Sequence, residues 1–491
     1  MSLDTIIIGA GSAGCVLAAR LSEDPQHDVL LLEAGPAHDP AALPDQVEFL
    51  GLGYQWPIEW GEEVQSSDGR VLPYLRGRGV GGSSSINGGV AMRAEPADLI
   101  HWPKGWQWEE MLPWFRKLEN DREFGSADYH GDAGPIPVLR WAESDWDPTY
   151  RAFYEACTKL GIVESPDHNA PDTTGVGAIP MNRDGSRRLS ASVTHLYPAL
   201  DRANLEVRGD ALVAKVLLDG GVAIGVELAS GERLEAARVI LAAGVLHTPT
   251  LLWRSGIGPA DALRGLAIDP LVDAPAVGAH WTDHMMLELS TPVSDRFIRP
   301  GNQGIQVLAR VSAEGSPYSN DLQITPWCER VGKDEYKLNL SISLQQPFGE
   351  AEVAAAGPGA NERGVFTWPF PSDARNIERL RYGYRLAARI LANSGISREP
   401  GELARAEAQS DAELDAWIAR SHGAFYHGVG SCQMGESDEL PLDLDLSLRG
   451  VRGLYVIDGA SIPRVTRSNT HLVIVALAER AAAMLIGTES I

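Results

Sequence analysis

Gly9, Gly11 and Gly14 stand in the order Gly-x-Gly-x-x-Gly, and a carboxylate, Glu33, follows 19 residues after the last of them. Each has its own physical use. Gly9 allows a tight turn, Gly11 lets a pyrophosphate approach bare backbone, and Gly14 lets a helix lie close to a strand. A helix beginning there would turn free N–H groups and a partial positive charge toward phosphates. Glu33 stands where a carboxylate accepts hydrogen bonds from ribose hydroxyls. The chemistry these residues support is dinucleotide binding, and their spacing alone does not separate NAD from FAD.

A second stretch, RGRGVGGSSSINGGVAMRA (Arg76 to Ala94), holds six glycines and three consecutive serines. That composition suits neither a core helix nor a strand. It suits backbone lying flat against a large planar ligand, anchored by Val80, Ile86 and Val90. His280, Asp283 and His284 form a short HxxDH cluster. A turn is the simpler reading of it than a metal site, and no metal is expected. His427 opens HGVGSC, but no Gly-x-Ser-x-Gly elbow surrounds the serine, so ester hydrolysis is not indicated.

The elements that must position these residues can be read from periodicity. Thr5–Ile8 and Val29–Leu32 are short apolar runs of buried parallel-strand type, with a helix over Cys15–Ser22 between them. Asn204 to Glu235 reads as short strands with glycine turns, and Arg238–Ala243 as a further strand. A helix follows, with Pro249 expected in its first turn. Residues 149–161 form another helix. Gln306–Val311 and Lys337–Leu344 alternate apolar and polar residues, as half-buried antiparallel strands do. Asn376–Leu391 and Ala412–Ala419 are helical. Leu454–Asp458 returns to buried-strand character, and Leu472–Ile486 is a long apolar helix.

The expected fold is α/β: a Rossmann-like nucleotide domain over 1–155, 190–285 and 425–491. A substrate domain, 156–189 and 286–424, is inserted in it and built on an antiparallel sheet packed with helices. The 491 residues carry a formal net charge of −24, which repels nucleic-acid phosphate and anionic lipid. No apolar stretch reaches the ~20 residues that span a bilayer, so no membrane insertion is expected. The first apolar run lacks a basic leader. Cys15, Cys157, Cys328 and Cys432 are scattered without a CxxC pair. A cytoplasmic location is the expectation.

Six stretches together carry a resemblance: GAGSAG with Glu33, GRGVGGSSSIN, GWQWEEMLPWF, AAGVLHTPTLLWRSGIGP, FYHGVGSCQMG, and DGASIP followed by SNTH. The chain resembles the glucose–methanol–choline oxidoreductases, FAD-dependent enzymes that mostly oxidise alcohols. The resemblance selects FAD. It implies that Gly9, Gly11, Gly14 and Glu33 hold the ADP half and that Val213 lies at the adenine end. Gly82, Ser83, Asn87 and Val90 would line the pyrophosphate and flavin, and Asp458, Gly459 and Ala460 would meet the flavin's linker. Family members that tether FAD use a histidine where this chain has Ile86, so non-covalent FAD is expected.

By the same resemblance the catalytic pair is His427 and His471, the first as base and the second as the group that hydrogen-bonds the same alkoxide and positions it. The family often has proline shortly after that partner, where this chain has Leu472 and Val473. His422 lacks the motif context and is read as structural. Trp327, Trp368, Phe370 and Tyr426 are candidate substrate walls, which would suit an aromatic or apolar primary alcohol. The expected reaction is oxidation of such an alcohol to the aldehyde, with O2 reoxidising the flavin and forming peroxide. A dehydrogenase passing electrons to a quinone, a carrier protein or a redox peptide is the alternative. Asn87 with GVGAIPMN (Gly175–Asn182) is similar to the branch associated with mycofactocin, which favours that alternative. A hydroxynitrile lyase retaining FAD is the alternative of another class.

Overall fold

The computed structural model describes residues 3–50, 58–66, 68–297, 304–332, 335–368 and 373–487. The first apolar run extends over Leu3–Ile8, the helix after the glycine turn over Ser12–Leu21, and the second strand over Val29–Leu32. Leu3–Ile8 lies between Val29–Leu32 and Arg233–Leu241, parallel to both. Leu205–Arg208 extends one edge. On the other side Arg233–Leu241 divides its partners. Its first half pairs antiparallel with Val222–Leu228, and its last three residues pair parallel with Leu454–Val456. Four parallel strands thus end at one edge and run directly into Gly9, Glu33, Ala242–Gly244 and Asp458. This is the edge at which open α/β sheets bind ligands.

Two helices seal one face of this sheet. Ser12–Leu21 packs along His471–Leu485, and Arg20 clamps the wholly buried Glu479 through Nε and Nη2 at 2.7–2.9 Å. Desolvation of Glu479 is offset by that fork, by Lys117 and by His195.

The second sheet is antiparallel throughout. Its order is Gly423–Ala424, Met285–Pro292, Tyr336–Leu344, Leu322–Arg330, Val307–Val311 and Gly175–Ala178. Leu338, Leu340, Ile342 and Leu344 face a core of their own, closed by the Ala374–Ser394 helix. Gly383 sits mid-helix because a Cβ there would come within 2.8 Å of Ile342. The alternating strands were expected to be half-buried, but Asn339, Ser341 and Ser343 on the opposite face are buried as well. The loop through Val465–Arg467 covers part of that face, receiving hydrogen bonds from Gln346 and Arg310. The Pro148–Lys159 helix packs whole into this second core, so the expected domain break between residues 155 and 156 would divide it.

Pro249 falls at the sixth residue of the Gly244–Arg254 helix, not in its first turn. Proline cannot donate to the carbonyl four residues back, and here Ser431 Oγ donates to that Val245 carbonyl instead, at 2.6 Å. Among the described residues no helix is long and apolar enough to cross a membrane.

Candidate functional site

The strand ends and glycine turns open on a cavity of about 470 Å³. Gly9 has φ +99°, and a Cβ there would strike the Ala242 carbonyl at 2.6 Å, so the turn excludes other residues. A Cβ on Gly11 would meet nothing nearer than 4.0 Å, and one on Gly244 nothing at all within that distance. Both glycines therefore leave space on the cavity side. Gly14 does not line the cavity; its missing Cβ would lie 1.9 Å from the Gly9 carbonyl, which makes it the packing contact between helix and turn.

Glu33 is buried and accepts from the backbone N–H of Ala10 and Gly35 at 2.9 Å and of Gly79 at 3.0 Å. It joins the first glycine turn to the Arg76–Ala94 stretch. A carboxylate has about four acceptor sites, so three donors leave room for one ribose hydroxyl. Gly82, Ser83, Asn87, Val90 and Val213 also line the cavity. Gly82 packs on Gly11 so closely that a Cβ would approach its Cα to 2.7 Å. The chain's two glycine-rich stretches therefore form one continuous bare surface.

Asp458 lines the cavity with Gly459, while Ala460 lies behind them. The Asp458 carboxylate accepts from Gly244 N at 2.7 Å, Thr248 Oγ at 2.6 Å and Ala460 N at 2.7 Å. Burial pushes its pKa up, and these three donors pull it back. The cavity thus offers bare glycine backbone, a helix N-terminus and a buried carboxylate acceptor. Those are the groups an FAD diphosphate and ribose require, and they fit the cofactor.

His427 and His471 border the same cavity. His471 is the first residue of its helix. Its Nδ1 lies 3.1 Å from Ser12 Oγ, and its Nε2 is buried without a protein partner. Burial lowers its pKa to about 4. His427 is held by residues far away in sequence. Its backbone N–H donates to Asp283 Oδ1 at 2.7 Å. Asp283 Oδ2 accepts from Tyr74 Oη at 2.7 Å, and Tyr74 Oη accepts from Arg76 at 2.8 Å. Arg76 also donates to the carbonyl of Tyr426, which keeps a left-handed backbone at φ +65°. These bonds fix the bend that presents the His427 ring. That ring meets His284 Nδ1 through Nδ1 at 3.0 Å and Asn469 Nδ2 through Nε2 at 3.1 Å. Burial, reinforced by His284 and Arg76, holds the His427 pKa well below its usual value.

The substrate walls need correction. Tyr426 lines the cavity, whereas Trp327 and Trp368 do not. Trp327 donates to Ser341 on the second sheet. Trp368 is buried against Tyr74 and Trp281. Both are packing residues, as large aromatics more often are. Phe370 lies outside the described residues. His422 caps a helix and contacts Arg70, away from the cavity. The HxxDH cluster also resolves differently from a simple turn. His280 pairs with Glu350, while Asp283 and His284 turn inward to His427. Asp283, His284 and Asn469 are contacts of His427 that spacing could not identify. The HxxDH pattern was the one signal pointing to the first two.

Profiles of the GMC oxidoreductases match residues 3–286 and 347–478. An uncharacterised GMC-type oxidoreductase of Rhodococcus erythropolis is 33% identical, over 99% of each chain. The oxygen-dependent choline dehydrogenase of Staphylococcus xylosus is 31% identical, over 99% of this chain and 95% of that one. The crystal structure of pyridoxine 4-oxidase from Mesorbium loti superposes with a TM-score of 0.88 at 27% identity and covers all of both chains. The chain belongs to the GMC oxidoreductase family and is an FAD-dependent oxidoreductase.

Proposed function

We propose that the protein oxidises a primary alcohol to the aldehyde, with His427 as the base that takes the hydroxyl proton. The observation that carries this reading is a half-buried imidazole, kept neutral by its surroundings, at the wall of the cavity that fits FAD. When bound, the flavin supplies the hydride acceptor for the carbinol carbon. The chain's own task is to bind the alcohol, hold its oxygen and remove one proton. A neutral imidazole suits that task near pH 7. His471, which borders the same cavity and whose Nε2 has no protein partner, would hydrogen-bond the same oxygen. Ser12 Oγ can donate to its Nδ1 and so leave the proton on Nε2. One ring then accepts from the substrate oxygen and the other donates to it.

The relatives named for choline and pyridoxine support an alcohol substrate. Of the expected wall residues that are described, Tyr426 supports an aromatic or apolar alcohol, since the two tryptophans belong to packing. For the acceptor we propose O2, supported by the oxygen-dependent relative. Non-covalent FAD is supported by Ile86, which offers no nucleophile at the tethering position. Acid precipitation should release the flavin and leave protein of unmodified mass.

The test is anaerobic addition of a panel of primary alcohols to the yellow holoenzyme. Bleaching of the flavin with aldehyde formation supports the reading. An unbleached flavin with cyanide release from a cyanohydrin would replace it with lyase chemistry. Peroxide yield against dye reduction on the best alcohol then decides the acceptor.

A further inference from the structure

The contacts around His284 fix more than the position of its neighbour. A neutral imidazole carries one N–H and one bare nitrogen. His284 Nε2 lies 2.9 Å from the Thr466 carbonyl oxygen. A carbonyl only accepts, so the His284 proton sits on Nε2 and its Nδ1 is bare. That bare Nδ1 lies 3.0 Å from His427 Nδ1, and two bare nitrogens facing one another at that distance would repel. His427 must therefore carry its proton on Nδ1 and donate it to His284. Its Nε2 is left bare, and Asn469 Nδ2 donates to that nitrogen at 3.1 Å. The two rings stand nearly perpendicular, at 87°; His284 is wholly buried and His427 half-buried at the cavity wall.

We infer that His284 is a positioning residue that selects the Nδ1–H tautomer of His427 and so keeps its Nε2 an acceptor, engaged by Asn469 Nδ2 until a substrate hydroxyl takes that donor's place. The order is directional: Thr466 carbonyl, His284 N–H, His284 lone pair, His427 N–H, His427 lone pair. Reversing any member would set a lone pair against a lone pair or leave a buried nitrogen unpaired. Burial, which lowers the His284 pKa to about 4, keeps the linking ring neutral and the order intact. The catalytic consequence rests on His427 being the base; the tautomer itself does not.

The test is a 15N spectrum of the FAD-loaded protein labelled at histidine, with the His427 signals assigned by their loss in His427→Gln. In the unsubstituted protein at pH 7, Nδ1 should be pyrrole-type and Nε2 pyridine-type. A protonated Nε2 would overturn the inference without any variant. Replacing His284 by phenylalanine keeps a ring and removes the acceptor. His284→Asn places an amide oxygen near the former Nδ1. The phenylalanine variant should show both His427 tautomers and reduce flavin about 10–100-fold more slowly at unchanged alcohol affinity. The asparagine variant should recover the tautomer and most of the rate. An unsubstituted-type spectrum and rate in His284→Phe would contradict the inference, as would failure of asparagine to restore the tautomer. If the tautomer is as stated while His427→Ala still reduces flavin at full rate, the base assignment fails and the tautomer selection stands.

Discussion

Glu33 is satisfied by the backbone of residues 10, 35 and 79, all within the N-terminal segment, whereas His427 depends on Tyr74, Arg76, Asp283, His284 and Asn469. The nucleotide wall of the cavity is mostly main chain and bare glycine, built from local turns at the ends of parallel strands. The histidine wall is mostly side chain, assembled by the meeting of two sheets and the C-terminal helix. A backbone wall tolerates no added atom where it packs on itself, at Gly9, Gly14 and Gly82, but asks little of distant residues. A side-chain wall tolerates small volume changes, yet fails when one member of a polar chain is lost, because its buried partners are left unpaired.

That difference can be tested from both sides. The largest effect should come from Gly14→Val, whose Cβ would meet the Gly9 carbonyl at 1.9 Å. Helix and turn must part, and the protein should purify without flavin absorbance or fail to fold. A flavin-loaded Gly14→Val protein would show that the backbone wall yields more than this geometry allows. Next comes Asp283→Ala. It leaves the N–H groups of His284 and His427 and the Tyr74 hydroxyl without their acceptor. Each unpaired buried group costs about 1–3 kcal/mol, so denaturant unfolding should shift markedly. Flavin should still bind, and anaerobic reduction by alcohol should slow.

Acidification should act on the histidine wall first. His284 and His471 sit at about 4, against an ordinary value of 6.5, and His427 is also depressed. The unfolded chain therefore binds more protons than the folded one between those values. Stability from these rings is complete above pH 6.5 and is lost as pH falls below it. Asp283, raised to about 6 by burial, works against this, since the folded state holds its proton more firmly. His168, His247 and His422 are lowered by burial as well, whereas Glu62, Asp98, Asp458 and His130 are raised like Asp283. Six lowered rings against five raised groups give a net loss in acid, readable as a lower melting temperature at pH 5 than at pH 7.5. The smallest effect belongs to Ser431→Ala. It removes the donor to the Val245 carbonyl that Pro249 cannot serve and should cost about 1 kcal/mol with flavin reduction nearly unchanged.

The same difference explains how far the sequence could be read. Gly9, Gly11, Gly14 and Glu33 announce their wall because strand, turn and helix follow one another within some thirty residues. The strand pairs formed by Leu454–Val456 and Gly175–Ala178 have no such local signature: an apolar run marked the first, and nothing marked the second as a strand. Trp327 and Trp368 show the limit for substrate walls. A large aromatic beside a strand reads alike whether it lines a cavity or fills a core, and packing decided both. Asp283 and His284 were visible as a cluster, but the cluster gave no sign that its partner was His427, because that contact exists only once the second sheet has folded. Pro249 was read as a helix start from its usual position, and Ser431 supplied the donor that lets it sit deeper.

Anaerobic rapid mixing of alcohol with the flavin-loaded His427→Ala protein decides whether His427 removes the hydroxyl proton. A general base contributes about 10²–10⁴-fold. Flavin reduction should fall by that factor with the flavin still bound, and added imidazole should restore part of the rate. Reduction at the unsubstituted rate would show that His427 is not the base.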